Sequence, residues 1–165
     1  MKQYLDKFYY WYFIVHIPIT LLIDSTIVIP DEYQLWIQKL IVSFHIETNK
    51  DILLIESPLW FKVFGLFELV VQLPIFVIGS IFLRNKDERI TPVMMIYGFN
   101  AFFTTLVCLI WVIAEGDNFG LTRAEIYNLV LIYVPYLIIP LVMMIDNLIR
   151  NIKVFNKIEI TKKNQ

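Results

Sequence analysis

The chain has 165 residues, 58% of them hydrophobic, 16% aromatic and 18% charged, with a formal net charge of −1. Soluble domains carry about a quarter charged residues, so an ordinary soluble globule is excluded, and the charge balance gives no reason for nucleic acid as a partner. A single cysteine, Cys108, cannot build a disulfide framework or a thiolate metal site, so neither a metal nor a cofactor is expected.

In chain order, four apolar segments emerge at 8–29, 59–83, 91–114 and 126–149. Their lengths correspond to roughly 33–37 Å of helix, enough for the ~30 Å hydrocarbon core of a bilayer. The first run is too long for a signal-peptide core and lacks a small-residue cleavage site after it, so it reads as a retained helix. The fold class is therefore an all-α membrane protein, a bundle of four transmembrane helices. The membrane domain covers 1–158 and a basic tail covers 159–165.

The basic residues are distributed unequally. Lys2 and Lys7 precede the first segment, Arg84, Lys86 and Arg89 separate the second and third, and Arg150, Lys153, Lys157, Lys162 and Lys163 follow the fourth. Only Lys39, Lys50, Lys62 and Arg123 fall on the other side. The positive-inside rule then puts both termini in the cytosol. Lys162 and Lys163 stand fourth and third from the C-terminus. That spacing resembles the dilysine retrieval signal of the endoplasmic-reticulum membrane, which is continuous with the nuclear envelope. A generic basic juxtamembrane tail is the plainer alternative.

Between the first two segments lies the one long connection, Pro30 to Pro58. Within it Leu35, Trp36, Leu40, Ile41 and Phe44 recur near helical spacing against Gln34, Gln38, Lys39 and Ser43. The pattern predicts a short amphipathic helix on the lumenal membrane surface. His45 reads as a surface position of that helix, and Asp51 beyond it as a solvated loop residue. Pro18, Pro74, Pro135 and Pro140 lie inside membrane segments, where each removes a backbone hydrogen bond. Freed carbonyls in a bilayer need side chains, water or neighbours, so such helices favour polar internal cavities.

Polar residues at membrane depth carry the functional reading. Asp24 sits in an apolar run, and a bare carboxyl there is expensive and normally faces a cavity or partner. The helix directions place Asp24, Asp51 and Glu68 near one end of the bundle. Glu68 and Gln72 are spaced i, i+4 and share a helical face. His16 lies two turns before Asp24 on roughly the same face, and Tyr97, Asn100, Thr104, Tyr133 and Tyr136 fall at comparable depth. Clustered acids in a low dielectric cannot all stay ionised, and a shared proton is the usual result. An acid-lined apolar cavity without a cation of its own suits an amphiphile with an amine or hydroxyl head, and aromatic walls attract amines further. The bland readings are that Asp24 caps Ser25 or Thr26 or pairs with Lys62, and that Glu68 and Gln72 are interhelical hydrogen-bond glue.

The strings His16-Ile-Pro-Ile-Thr20 before Asp24, Asp51 ahead of Trp60-Phe61-Lys62, Glu68 with Gln72-Leu73-Pro74, Thr91-Pro92 with Tyr97, and Pro135-Tyr136-Leu137-Ile138-Ile139-Pro140 resemble the sigma-two receptor branch of the EXPERA family, related to the emopamil-binding sterol isomerase. The resemblance covers essentially the whole chain. It implies an endoplasmic-reticulum four-helix homodimer that binds sterols or oxysterols and amine amphiphiles in a membrane pocket, with a role in sterol homeostasis and a link to a cholesterol-transport protein. By the same resemblance Asp24 pairs with the ligand amine and Asp51 supports it. Glu68, Gln72, Tyr97, Thr104, Tyr133 and Tyr136 contribute to the pocket, and His16 and Asn100 are candidate supports. The related isomerases carry His and Glu at i, i+4 in helix two, where this chain has Glu68 and Gln72. An amide cannot act as a base, so a receptor is expected and an enzyme is not. A sterol double-bond isomerase and a trafficking adaptor with purely structural acids are the alternatives.

Overall fold

The computed structural model of the chain describes residues 2–163; Asn164, Gln165 and the Lys162 side chain, which belong to the retrieval-like tail, lie outside the described residues. Helix α1 (Lys2–Leu22) ends in a 3₁₀ turn at Asp24–Ile27. After a second 3₁₀ turn at Asp31–Tyr33 come α2 (Trp36–Asn49) and α3 (Ile52–Glu56). The second span is composite: α4 (Leu59–Phe67), a π-helical turn at Glu68–Gln72, and α5 (Leu73–Arg84). A 3₁₀ turn at Glu88–Ile90 opens α6 (Thr91–Glu115), and α7 (Arg123–Lys163) closes the chain. Four helical stretches, Gln3–Ile27, Leu59–Arg84, Glu88–Glu115 and Arg123–Thr161, are long and apolar enough to cross a membrane. The chain is an all-α, four-helix membrane protein.

Two boundaries differ from the sequence expectation. α1 starts at Lys2 instead of Phe8, and α7 continues past Ile149 through the basic segment to Lys163. Residues 150–163 contain no glycine or proline, and Lys163 pairs with Glu159 at 2.8 Å one turn away. Nothing in that segment stops a helix, and the i, i+4 pair supports it.

The spans pack as two antiparallel pairs, α1 with α5 and α6 with α7. Lipid is as apolar as the helices, so close backbone approach at small residues, not hydrophobic exclusion, holds such pairs. A Cβ built on Gly98 of α6 would lie 2.7 Å from the Pro140 carbonyl oxygen and 2.8 Å from Met144 N of α7. On Gly79 of α5 it would lie 2.6 Å from the Phe13 ring of α1. One buried cluster gathers Phe13, Phe76, Tyr97 and Met143 toward the end that carries the termini. A second gathers Leu53, Phe61, Val112 and Leu129 toward the opposite, loop end.

Helix α2 is present as the pattern predicts, but its faces need reading with lipid in mind. Trp36, Leu40 and Phe44 point outward, while Gln38 is buried. Gln38 Nε2 donates to the Leu21 carbonyl and to Ser25 Oγ, both at 2.9 Å, and its Oε1 accepts from Leu35 N–H at 2.8 Å. Trp36, Leu40 and Phe44 thus face where lipid would be, and Gln38 is turned onto the end of α1.

Candidate ligand-binding cavity

A cavity of about 490 Å³ opens beneath α2, within the size range of small-molecule pockets. It is walled by His16, Asp24, His45, Asn49, Asp51, Glu68, Thr104, Tyr133 and Tyr136, with Ile19, Leu54, Phe61, Phe64 and Cys108 among its apolar surfaces. The end of α1, the polar edge of α2, the first turn of α3, the π turn, α6 and α7 all contribute. The three acids expected to converge do line one space.

Asp24 begins the 3₁₀ turn that terminates α1. Thr20, one turn earlier and fully buried, donates its hydroxyl to Glu68 Oε1 at 2.8 Å. Asp24, one helical turn after Thr20, lines the same cavity as Glu68. Among the described residues Asp24 has no ion pair with Lys62, and the Ser25 and Thr26 hydroxyls bond the carbonyls of Leu21 and Ile23 instead.

The backbone explains how Glu68 reaches α1. The N–H of Leu73 bonds the carbonyl of Glu68, five residues back, across the π turn. Pro74 follows at once. Proline lacks an N–H and its ring crowds the carbonyl four residues earlier. The widened turn absorbs that conflict, as π-bulges often do at functional sites. Glu68 meets Thr20 of α1, whereas buried Gln72 donates to Asn100 Oδ1 of α6 at 2.7 Å. Gln72 and Asn100 therefore satisfy each other and do not line the cavity. Tyr97 is also withdrawn, 2% exposed, with its hydroxyl 3.2 Å from that of Tyr12. Thr104 lines the wall while bonding the backbone of its own helix.

Asp51 is not a solvated loop residue: it is fully buried. Its Oδ1 accepts the Leu53 N–H at 3.0 Å as the cap of α3, and its Oδ2 accepts from Tyr133 OH at 2.8 Å. His45 Nε2 completes the set at 3.0 Å. Asn49 lies 3.2 Å from His45 Nδ1, so the amide donates to Nδ1 and Nε2–H donates to the carboxylate. His45 and Asn49 are the residues that the sequence pattern missed. Both lie on the helical face of Gln38, seven and eleven residues on, and that spacing was the available signal.

His16 is 8% exposed and wedged among aromatic rings, 3.9 Å from Tyr12 and 5.6 Å from both Phe76 and Tyr136 between centroids. Its Nδ1–H donates to the Tyr12 carbonyl at 2.7 Å. Nε2 thus carries a lone pair, and it has no hydrogen-bond partner. Among the described residues no lysine or arginine lines the cavity. Chemically, the space offers two neighbouring carboxyls, a third saturated by its donors, and an unsatisfied acceptor within apolar walls.

Residues 36–147 match the EXPERA family, the EXPanded EBP superfamily. The chain is 40% identical over 149 residues to the Efficient mitochondria targeting-associated protein 19 of Saccharomyces cerevisiae, covering 82% of this chain and 92% of that one. Against the human Sigma intracellular receptor 2 it is 35% identical over 143 residues, 81% of each chain. The Efficient mitochondria targeting-associated protein 19 of Schizosaccharomyces pombe is 34% identical over 148 residues, 88% of this chain and 75% of its own. With four membrane-length helices around a polar cavity and relatives matched over most of their length, this chain belongs to the EXPERA family.

Proposed function

We propose that this EXPERA membrane protein is a non-enzymatic receptor or regulator that takes a sterol-like or cationic amphiphile into the cavity beneath α2. The observation that carries the reading is a half-buried pair of acids, Asp24 and Glu68, lining one apolar space that holds no lysine or arginine among the described residues. Two neighbouring carboxyls in a low dielectric share one proton and keep one negative charge. A ligand ammonium is the missing counter-ion, and burial of the ligand's apolar body supplies most of the affinity. Asp51 supports the reading by position, because its own lone pairs are occupied by the protein. His16 Nε2, as an open acceptor, suits a ligand hydroxyl. In this proposal the protein resides in the endoplasmic-reticulum membrane as a homodimer with cytosolic termini, acts in sterol homeostasis, and engages a cholesterol-transport protein.

The test is equilibrium binding of a tertiary-amine amphiphile to wild type and Asp24→Asn in detergent or nanodiscs. Loss of the charge partner weakens binding by roughly tenfold or more; unchanged affinity sinks the amine-anchor role.

The fungal relatives favour a second reading, an adaptor associated with mitochondrial targeting, because one of them has the 40% identity. Under it, cavity variants keep the cellular phenotype while surface variants lose it. A sterol isomerase is disfavoured by the amide at Gln72 and its engagement by Asn100, and turnover of a Δ8-sterol by the purified protein would reverse that ranking.

A further inference from the structure

We propose that the terminus-bearing end of the bundle holds a second lipid site, a groove that takes the phosphate headgroup of an anionic glycerophospholipid on Lys7, Arg84 and Lys86. The groove has a volume of about 690 Å³ and lies between the first turns of α1, the 84–91 turn and α7. Its rim brings together four cations, Lys7, Arg84, Lys86 and Arg150, and three acids, Asp6, Asp87 and Glu88.

None of the three acids is free. Asp6 pairs with Arg150, which also meets Asp146 at 2.6 Å. Asp87 is chelated by Arg89, whose Nε lies 3.0 Å from both carboxylate oxygens. That guanidinium holds the Asp87 carboxyl below the usual carboxylate range. Lys7, Arg84 and Lys86 are exposed and enter no ion pair among the described residues. Three exposed cations thus share one groove.

The turn geometry adds an independent observation. Lys86 has φ 57°, the left-handed region in which glycine sits without strain. Lys86 is the left-handed residue that closes the end of α5, where the Asp87 N–H bonds the Phe82 carbonyl, and it lines the groove. Below the charges the lining turns apolar with Trp11, Leu83, Ile90 and Met94, and Trp11 is 54% exposed. A cationic rim above an apolar floor, beside a tryptophan at interface depth, matches a headgroup with its acyl chains attached. A free anion would use the rim and leave the floor unused.

The experiment is native mass spectrometry of the full-length protein in detergent with equimolar dioleoyl-phosphatidylserine and dioleoyl-phosphatidylcholine. Wild type should retain phosphatidylserine preferentially, and Lys7→Ala/Arg84→Ala should lose that retention by roughly tenfold or more. Lys153→Ala/Lys157→Ala removes the same charge outside the groove and should leave retention unchanged. Lys86→Gly should lower retention while the melting temperature holds or rises, which separates the amine from the backbone. Equal retention by wild type and the groove double variant, or equal loss in the Lys153/Lys157 control, overturns the site. Displacement of the lipid by millimolar inorganic phosphate overturns the lipid assignment.

Discussion

Asp24 and Asp51 line the same cavity and have opposite dependencies. Asp51 receives three donors, from Leu53, Tyr133 and His45, and is fully buried. Charge-assisted bonds of this kind hold structure, and removing the charge leaves their donors poorly matched. Asp51→Asn should therefore cost about 1.5–3 kcal/mol of stability, and Tyr133→Phe about 1 kcal/mol. Asp24 shares its surroundings with a second acid, so Asp24→Asn relieves repulsion and adds an amide donor beside Glu68. Its stability should stay within about 0.5 kcal/mol of wild type or rise, while amine binding falls. Thermal unfolding in nanodiscs ranks the two, and a larger loss for Asp24→Asn than for Asp51→Asn would refute the division of labour. His16 extends the contrast. Its unpartnered Nε2 contributes nothing to folding, since a buried polar atom without a bond is a cost. His16→Phe retains an aromatic ring among Tyr12, Phe76 and Tyr136 and should leave the melting temperature nearly unchanged. Affinity for a hydroxyl-bearing amphiphile should drop, and an unchanged affinity removes His16 from the site.

The elements show where one-dimensional periodicity stops informing. Four spans were legible from their apolar length alone, because a bilayer tolerates little else. The acid cluster was legible because a carboxyl at membrane depth needs a reason. Glu68 and Gln72 were expected to share a face, but the i→i−5 bond across Glu68–Gln72 sends them to different neighbours. Pro74 was a visible cue to the disturbance, yet sequence does not say whether a proline kinks a helix or is absorbed by a π turn. Asp51 seemed a loop residue because its burial depends on His45 and Tyr133, the latter 82 positions away. Helix α2 was found with its lipid and protein faces unassigned, since an apolar stripe faces inward in water and outward in a membrane. Two bonds from Gln38 Nε2 fasten that helix to the end of α1, and Gln38 Oε1 caps the Leu35 N–H. Gln38→Ala should leave the Leu35 N–H without its acceptor and release α2 from Leu21 and Ser25, at a cost of about 1–3 kcal/mol. Hydrogen exchange should accelerate across Trp36–Asn49 and stay unchanged in α6. Uniform acceleration would mean that α2 is no separable cover over the cavity.

At the scale of the molecule, the charges, the helix lengths and the two cavities point along one axis. Arg123–Thr161 is a single stretch of 39 residues, roughly 58 Å long, so about half of it extends beyond a ~30 Å hydrocarbon core. The exposed positions Lys153 and Lys157 occupy the projecting part, on the same end as the groove that contains Lys7, Arg84 and Lys86. The opposite end carries the acid-lined cavity under α2 and the polar turn around Asn118. This asymmetry makes topology measurable with one chemistry, because the single native thiol, Cys108, is 5% exposed and should not react with a membrane-impermeant maleimide. In sealed microsomes, Lys153→Cys should be labelled from the cytosolic side at once. Asn118→Cys should be labelled only after the membrane is opened. The reverse order would put the acid cavity toward the cytosol and the cationic groove toward the lumen, which the positive-inside rule opposes. Labelling of both sites before permeabilisation would mean that the loop between α6 and α7 does not cross, and the four-span bundle itself would fall.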